Sequence, residues 1–302
     1  MSDTTNPKAD VSRTAAGAAP GESPPRKFDM SLEIDAPLED VWKALTNSAE
    51  LSRWFPLEGR VEPGLGGSIF LSWGKDCEGT APITIWEPKR RLQFTEQMPM
   101  DGPGAPPTPV TVDYFLEGKG GTTILRLVHS GMGKGANWDG YLDSITRGWK
   151  FELRGLRHYL EHHRGKDRHV VWVRQKTALT ATEAAGRIIG PTGHVLRGNL
   201  DGLGEGDRYR LDGADGDLAL EGLVQVNGLP RSFAATAENL SNSYFRFELE
   251  GTEGSGDGKG GAASSGGGLQ AWLWLSTYAG SKKEFDEIAR KWTSLLREAL
   301  AC

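Results

Sequence analysis

The sequence predicts an α+β protein made of two copies of one unit, each an antiparallel β-sheet followed by a long C-terminal α-helix. Three observations lead there. The stretches "ITRGWKFELRGLRHYL" and "IARKWTSLLREAL" share Ile145/Ile288, Arg147/Arg290, Trp149/Trp292, Leu153/Leu296 and Arg154/Arg297 at one offset of 143. A chain of 302 residues holds two units of that size, in the usual range for a domain. Before each of these stretches runs a series of short alternating or apolar segments separated by Gly, Pro and Asp, the pattern of strands joined in sequence rather than of βαβ units.

The elements follow in order. Residues 1–26, rich in Ser, Thr, Ala, Pro and Gly, read as a disordered tail, because such a composition buries too little apolar surface to offset chain entropy. The stretch has neither a basic start nor an apolar run, so neither a signal peptide nor an anchor is expected. Phe28, Met30, Leu32 and Ile34 alternate with Asp29, Ser31 and Glu33, the period of a half-buried strand. Asp35-Ala36-Pro37 opens a helix, with Glu39 and Asp40 set against its dipole. Asn47 and Glu50 resemble a capping box for a second short helix bearing Leu51, Trp54 and Phe55. Strands are expected at "SIFLSWG", "APITIWEP", "RLQFTEQ", "PVTVDYFLEG" and "TTILRLVHSG". A helix follows from Tyr141 to His163, with Leu142, Ile145, Trp149, Leu153, Leu156 and Leu160 on one stripe.

The first unit is thus expected over residues 27–165. The second, over 166–302, repeats the order in eroded form. "ALTATEAAGRIIG" takes the place of the first helix, "DLALEGLVQV", "RSFAATAE", "SYFRFELEG" and "LQAWLWLSTYAG" read as strands, and Phe285, Ile288, Trp292 and Leu296 stripe the closing helix. "GLGEGDRY" and "DGADGD" read as turns. Residues 251–268, rich in Gly and Ser, are expected to be a flexible hairpin insertion, and no Lys-Ser/Thr follows their glycines as a phosphate loop requires.

Composition narrows the function. The chain is 37% hydrophobic and 25% charged with a net charge of −5, which suits a soluble globular protein and gives no basic footprint for nucleic acid. No membrane association is expected. Two cysteines, Cys77 and Cys302, set up neither a disulfide framework nor a C-x-x-C metal site, so a reducing cytoplasm is the expected location. Ten tryptophans point to cores, or enclosed spaces, shaped by large aromatic side chains.

The pieces "IDAPLEDVWKALTNSAELSRWF", "GLGGSI", "WEPKRRLQFT", "GGTTILRLVHSGMG" and "RGWKFELRGLRHYLEHH", in that order, resemble the START-like (SRPBCC, helix-grip) superfamily, in particular its branch named for the activator of the heat-shock-protein-90 ATPase. The second half resembles it more loosely and lacks the Asp-Ala-Pro and the Trp-Phe pair. The resemblance implies a sheet wrapped around the long helix, with an apolar groove between them that receives a small hydrophobic molecule.

On that expectation Trp54, Trp73, Tyr114 and Trp149 border the groove of the first unit, and they serve equally well as plain core. In "TTILRLVHSG", Thr123, Leu125, Leu127 and His129 share one face, opposite Arg126. Leu127 and His129 therefore point inward, His129 as a polar handle for a ligand or as a hydrogen-bonded strand-end histidine. His158 and His162 lie four apart on one helix face, geometry open to a metal, but the second-helix ligands and the H-E-x-x-H order are lacking. Neither metal nor cofactor is expected.

The leading expectation is a non-catalytic binding protein for a small hydrophobic molecule or a protein partner, with the site beside Trp149 in the first unit and the second unit as a structural or partner-binding copy. One alternative is a cyclase or dehydratase using the same groove with His129 as acid or base. Another is a chaperone ATPase regulator, for which the separate amino-terminal chaperone-binding domain of a co-chaperone is not seen.

Overall fold

The computed structural model describes residues 26–301 apart from 76, 103, 215, 217 and 253–267. The expected tail (1–26, save Arg26) and most of the expected insertion at 251–268 lie outside the described residues.

The first unit runs β1 (Arg26–Ile34), α1 (Leu38–Thr46), α2 (Ser48–Ser52), β2 (Glu58–Glu62), β3 (Ser68–Ser72), β4 (Glu78–Glu87), β5 (Arg91–Met98), β6 (Thr108–Lys119), β7 (Thr122–Met132) and α3 (Ala136–His158), which continues as a π-helical turn, Tyr159–His163. Its strands form an antiparallel sheet in the order β1-β7-β6-β5-β4-β3-β2. Two turn features start the helices. Pro37 precedes α1, and the Asn47 side chain accepts from the backbone N–H groups of Ala49 and Glu50 to cap α2. The Glu50 carboxylate does not close a capping box; it takes hydrogen bonds from Arg53 and Tyr159 instead.

The second unit runs β8 (His169–Thr177), α4 (Ala181–Ile188), β9 (Ile189–Gly190), β10 (Leu196–Arg197), β11 (Arg208–Gly213), β12 (Ala219–Gly228), β13 (Ser232–Ala237), β14 (Ser243–Thr252), β15 (Gly268–Thr277) and α5 (Lys282–Leu300). Capping boxes, Thr180 with Glu183 and Ser281 with Glu284, start α4 and α5. The sheet order, β8-β15-β14-β13-β12-β11-β10-β9, repeats that of the first. Two sequence expectations need correction here. Two ends of the stretches read as turns, Arg208-Tyr209 of "GLGEGDRY" and Asp212-Gly213 of "DGADGD", belong to strand β11, because Tyr209 and Leu211 alternate into the core. The sheet is not wholly antiparallel, since β9 and β10 pair in parallel.

Strand register shows how deep the duplication goes. A row across β7, β6, β5 and β4 places His129 beside Val112, Phe94 and Ile83. The matching row across β15, β14, β13 and β12 is Leu275, Phe245, Ala235 and Val224. In both sheets a bulge follows at once, between Ile83 and Ile85 and between Val224 and Val226. A bulge is a specific feature of a strand pair, so its recurrence in the same row marks common descent more sharply than the shared helix sequence.

The two units also share α3. Trp149, Leu153, Leu156 and Leu160 face the first core, while Phe151 packs on Ala234, Tyr244 and Trp274 from the second sheet. Helix α3 is therefore buried on two sides, whereas α5 packs on its own sheet and on α4. At the junction, the Arg168 guanidinium donates to the carbonyls of Trp54, Phe55 and Pro56, and Tyr278 donates to the Arg53 carbonyl at 2.9 Å. No helix among the described residues is long and apolar enough to cross a membrane.

Candidate functional site

The six residues expected to border a groove in the first unit come together, but as packed side chains. Trp54, Tyr114, Leu127, His129 and Trp149 are buried, and Trp73 is partly so. Phe55 stacks on Trp54 at 5.0 Å and meets Trp73 and Trp149 at 5.1 and 5.3 Å; Tyr114 meets Trp149 edge-on at 6.2 Å. The space left between α2 and strands β3, β5 and β6 is about 10 Å³, at the limit of what one water needs. At the end of the sheet, Met100, Val110, Met132 and Trp138 form a further small core that closes over the start of α3.

His129 is 3% exposed. Trp149 donates its indole N–H to His129 Nδ1 at 2.8 Å, so the remaining ring proton sits on Nε2, 3.4 Å from the Tyr141 hydroxyl. Burial pushes the imidazole pKa down to about 3, and the ring is neutral. A general base must reach its substrate, and here both ring nitrogens are spent inside the core. The cyclase or dehydratase alternative therefore loses its one named residue. His129→Leu is expected to lower stability by about 1–3 kcal/mol, because the Trp149 N–H is left buried without an acceptor. His129→Leu with Trp149→Phe should recover most of that loss in urea unfolding.

A larger open space lies in the other unit. A groove of about 560 Å³ lies between the first half of α5, the β11–β12 hairpin and the β13–β14 turn. Its apolar wall is Leu218, Leu240, Leu275, Phe285, Ile288, Trp292 and Leu295, and its rim carries Asn239, Ser241, Glu284, Glu287 and Lys291. This volume falls in the range of small-molecule sites, as does an apolar wall with few polar groups.

Position by position, the register explains why one unit is filled and the other open. Phe28 pairs with His129, and its counterpart Val171 pairs with Leu275; Leu275 thus replaces the histidine beside the helix tryptophan. Trp73 closes the β3–β4 hairpin through its N–H to the Cys77 carbonyl, and Gly213 closes β11–β12 through its N–H to the Leu218 carbonyl. Where the first unit inserts an indole, the second has no side chain. The β5–β6 connection, residues 99–107, brings in Met100, whereas the β13–β14 connection is only residues 238–242. Sequence reading placed Phe285, Ile288 and Trp292 correctly on the inner stripe of the closing helix, and nothing in their spacing shows that the facing wall is set back.

His158 and His162 have ring centroids 5.0 Å apart, but His158 Nε2 is engaged by the Asn242 carbonyl.

Residues 35–161 match the family described as "Activator of Hsp90 ATPase homolog 1-like protein". Comparison with curated proteins finds no match. Similar solved structures include CalU16 from Micromonospora echinospora, 26% identical, covering 45% of this chain and 76% of its own with a TM-score of 0.36. DynU16, from the dynemicin biosynthetic locus, is 18% identical and covers 91% of this chain and 97% of its own at a TM-score of 0.38. BexL, described as a di-domain ARO/CYC from the BE-7585A biosynthetic pathway, is 16% identical and covers 92% and 99% at 0.38. With a sheet closed on one long helix and the family match lying within that unit, the first domain belongs to the activator of Hsp90 ATPase homologue 1-like branch of the START-like (SRPBCC) superfamily, and the second is its diverged tandem copy.

Proposed function

We propose that this protein binds a small apolar molecule in the groove of its second domain, and that the first domain, filled by its own aromatic side chains, acts as the frame. The observation that carries this reading is the groove of about 560 Å³ in the second domain, set against the packed side chains of Trp73 and His129 that stand at the register-equivalent places of the first. Leu275, Phe285, Ile288 and Trp292 supply the apolar contact, and each buried methylene of a ligand contributes about 0.8 kcal/mol. Glu284, Glu287 and Lys291 stand at the solvent side, where the polar end of an amphipathic ligand would remain hydrated.

Titration with N-phenyl-1-naphthylamine, an uncharged fluorescent probe, tests the reading. A saturable one-to-one rise in fluorescence is expected, with quenching of Trp292, which is buried against the groove. A linear, non-saturating response would overturn it. Native mass spectrometry of gently purified protein would show whether a molecule of matching mass accompanies the chain.

A further inference from the structure

One lip of the second-domain groove is held from the first domain. The lip is the β13–β14 turn, whose Asn239, Leu240, Ser241 and Ser243 line the groove. Within it Ser241 and Asn242 both sit at φ 53°, a left-handed conformation that asparagine tolerates but that is uncommon for serine. The Asn239 side chain ties one end of the turn to β12, accepting from the Glu221 N–H and donating to the Ala219 carbonyl. At the other end, the Asn242 carbonyl accepts from two imidazoles, His158 Nε2 and His163 Nε2, each at 2.7 Å.

Those two histidines are five residues apart at the end of α3. On a helix of 3.6 residues per turn, such residues point roughly 140° apart. The π-helical turn Tyr159–His163 has i→i+5 bonding, which brings residues five apart to one side, and so both rings reach one oxygen. Stacking fixes the rings: His158 lies on Tyr244 at 5.3 Å and His163 on Tyr278 at 4.2 Å. A deviation from regular helix, two neutral donors and a left-handed turn thus converge on one carbonyl beside the groove.

We infer that His158 and His163 are positioning residues that clamp the groove lip, so that the first domain controls how long the second retains its ligand. The inference rests on the ligand-binding reading above. With the clamp in place the lip is rigid, and ligand leaves only when the turn opens. Without it the turn relaxes from its left-handed conformation, and both entry and exit become faster.

The test uses the full chain and N-phenyl-1-naphthylamine with stopped-flow fluorescence. The double variant His158→Phe/His163→Phe keeps both stacks and removes both donors, and its dissociation rate should rise about tenfold, the effect of losing about one net hydrogen bond. The pair His158→Gln/His163→Gln restores an N–H donor and should bring the rate back toward wild type, which a purely structural role for the rings does not predict. An unchanged rate in the Phe pair overturns the clamp while leaving the binding reading intact; absence of probe binding in the wild type overturns the binding reading itself. Should the Phe pair fail to fold, hydrogen exchange in the wild type decides. Amides of residues 240–243 as protected as those of β14 support the clamp, and exchange as fast as in residues 199–206 overturns it.

Discussion

Gly213→Trp is expected to abolish binding of the apolar probe, weakening it at least about a hundredfold, while the second domain stays folded. The first domain has already made this substitution: Trp73 occupies the equivalent hairpin position and its ring meets Phe55 at 5.1 Å. Gly213 lines the groove opposite Ile288 and Trp292, and an indole placed there occupies the space a ligand would take. Ligand affinity for such a groove comes from apolar surface removed from water, at about 25 cal/mol per Å². Loss of about 100 Å² of contact is about 2.5 kcal/mol on that scale, close to a hundredfold, and blocked entry adds to it. Far-ultraviolet circular dichroism with the fluorescence titration separates a filled groove from an unfolded domain. The reverse change, Trp73→Gly, removes a packed indole; it should cost about 3 kcal/mol in urea unfolding, at the low end for an aromatic deletion because Trp73 is only partly buried.

The architecture was legible because it rests on features with a period. Alternation in Phe28–Ile34 gave β1, and the three-and-four spacing of Ile145, Trp149, Leu153 and Leu156 gave α3. The repeated Trp149 and Trp292 exposed the tandem, since a closing helix needs the same stripe in both copies. The start of α3 at Ala136 is not legible because "GKGANWDG" carries three glycines around Trp138, a residue that is 1% exposed in the fold.

What the sequence hid was the location of open space. The landmarks that made the first domain recognisable, the Asp-Ala-Pro and the Trp54-Phe55 pair, include the very side chains that fill it. A groove arises from side chains that are missing, such as the one at Gly213, and from a short connection such as 238–242. Missing bulk has no periodicity, so it becomes visible only when strand register aligns the two copies. The double burial of α3 was equally hidden: Phe151, Glu152 and His158 lie off the stripe that faces the first sheet, yet all are buried against the second domain.

That second interface carries the other large effect. Arg246 lies over the Phe151 ring at 4.4 Å and is paired with Glu248 and, at 3.5 Å, with Glu152; Arg147 reaches Glu248 at 3.2 Å. Removing Arg246 takes away the guanidinium that faces the buried Glu248 carboxylate, so Arg246→Met is expected to cost about 3–5 kcal/mol. Arg246→Met with Glu152→Gln and Glu248→Gln should recover much of it. The same burial predicts the pH profile. Glu152 is pushed up to about 8 and Glu250 to about 7 from an ordinary 4.5, in both cases chiefly by desolvation. The folded state therefore holds their protons more tightly than the unfolded chain, and their contribution, complete below about 4.5, is lost as pH rises through 7 and 8. His129 and His158 are pushed the other way, from 6.5 to about 3, first by burial. Their contribution is present above about 6.5 and lost as pH falls. Between about 4.5 and 6.5 the two sets oppose one another, so stability should be greatest there and fall toward both sides, by on the order of 2 kcal/mol between pH 6 and pH 8.5. Urea unfolding at pH 6, 7 and 8.5 measures the alkaline limb, and equal stability at all three would contradict it. Glu152→Gln should flatten that limb and leave the acid one in place, because its amide stays neutral throughout while the histidines still titrate.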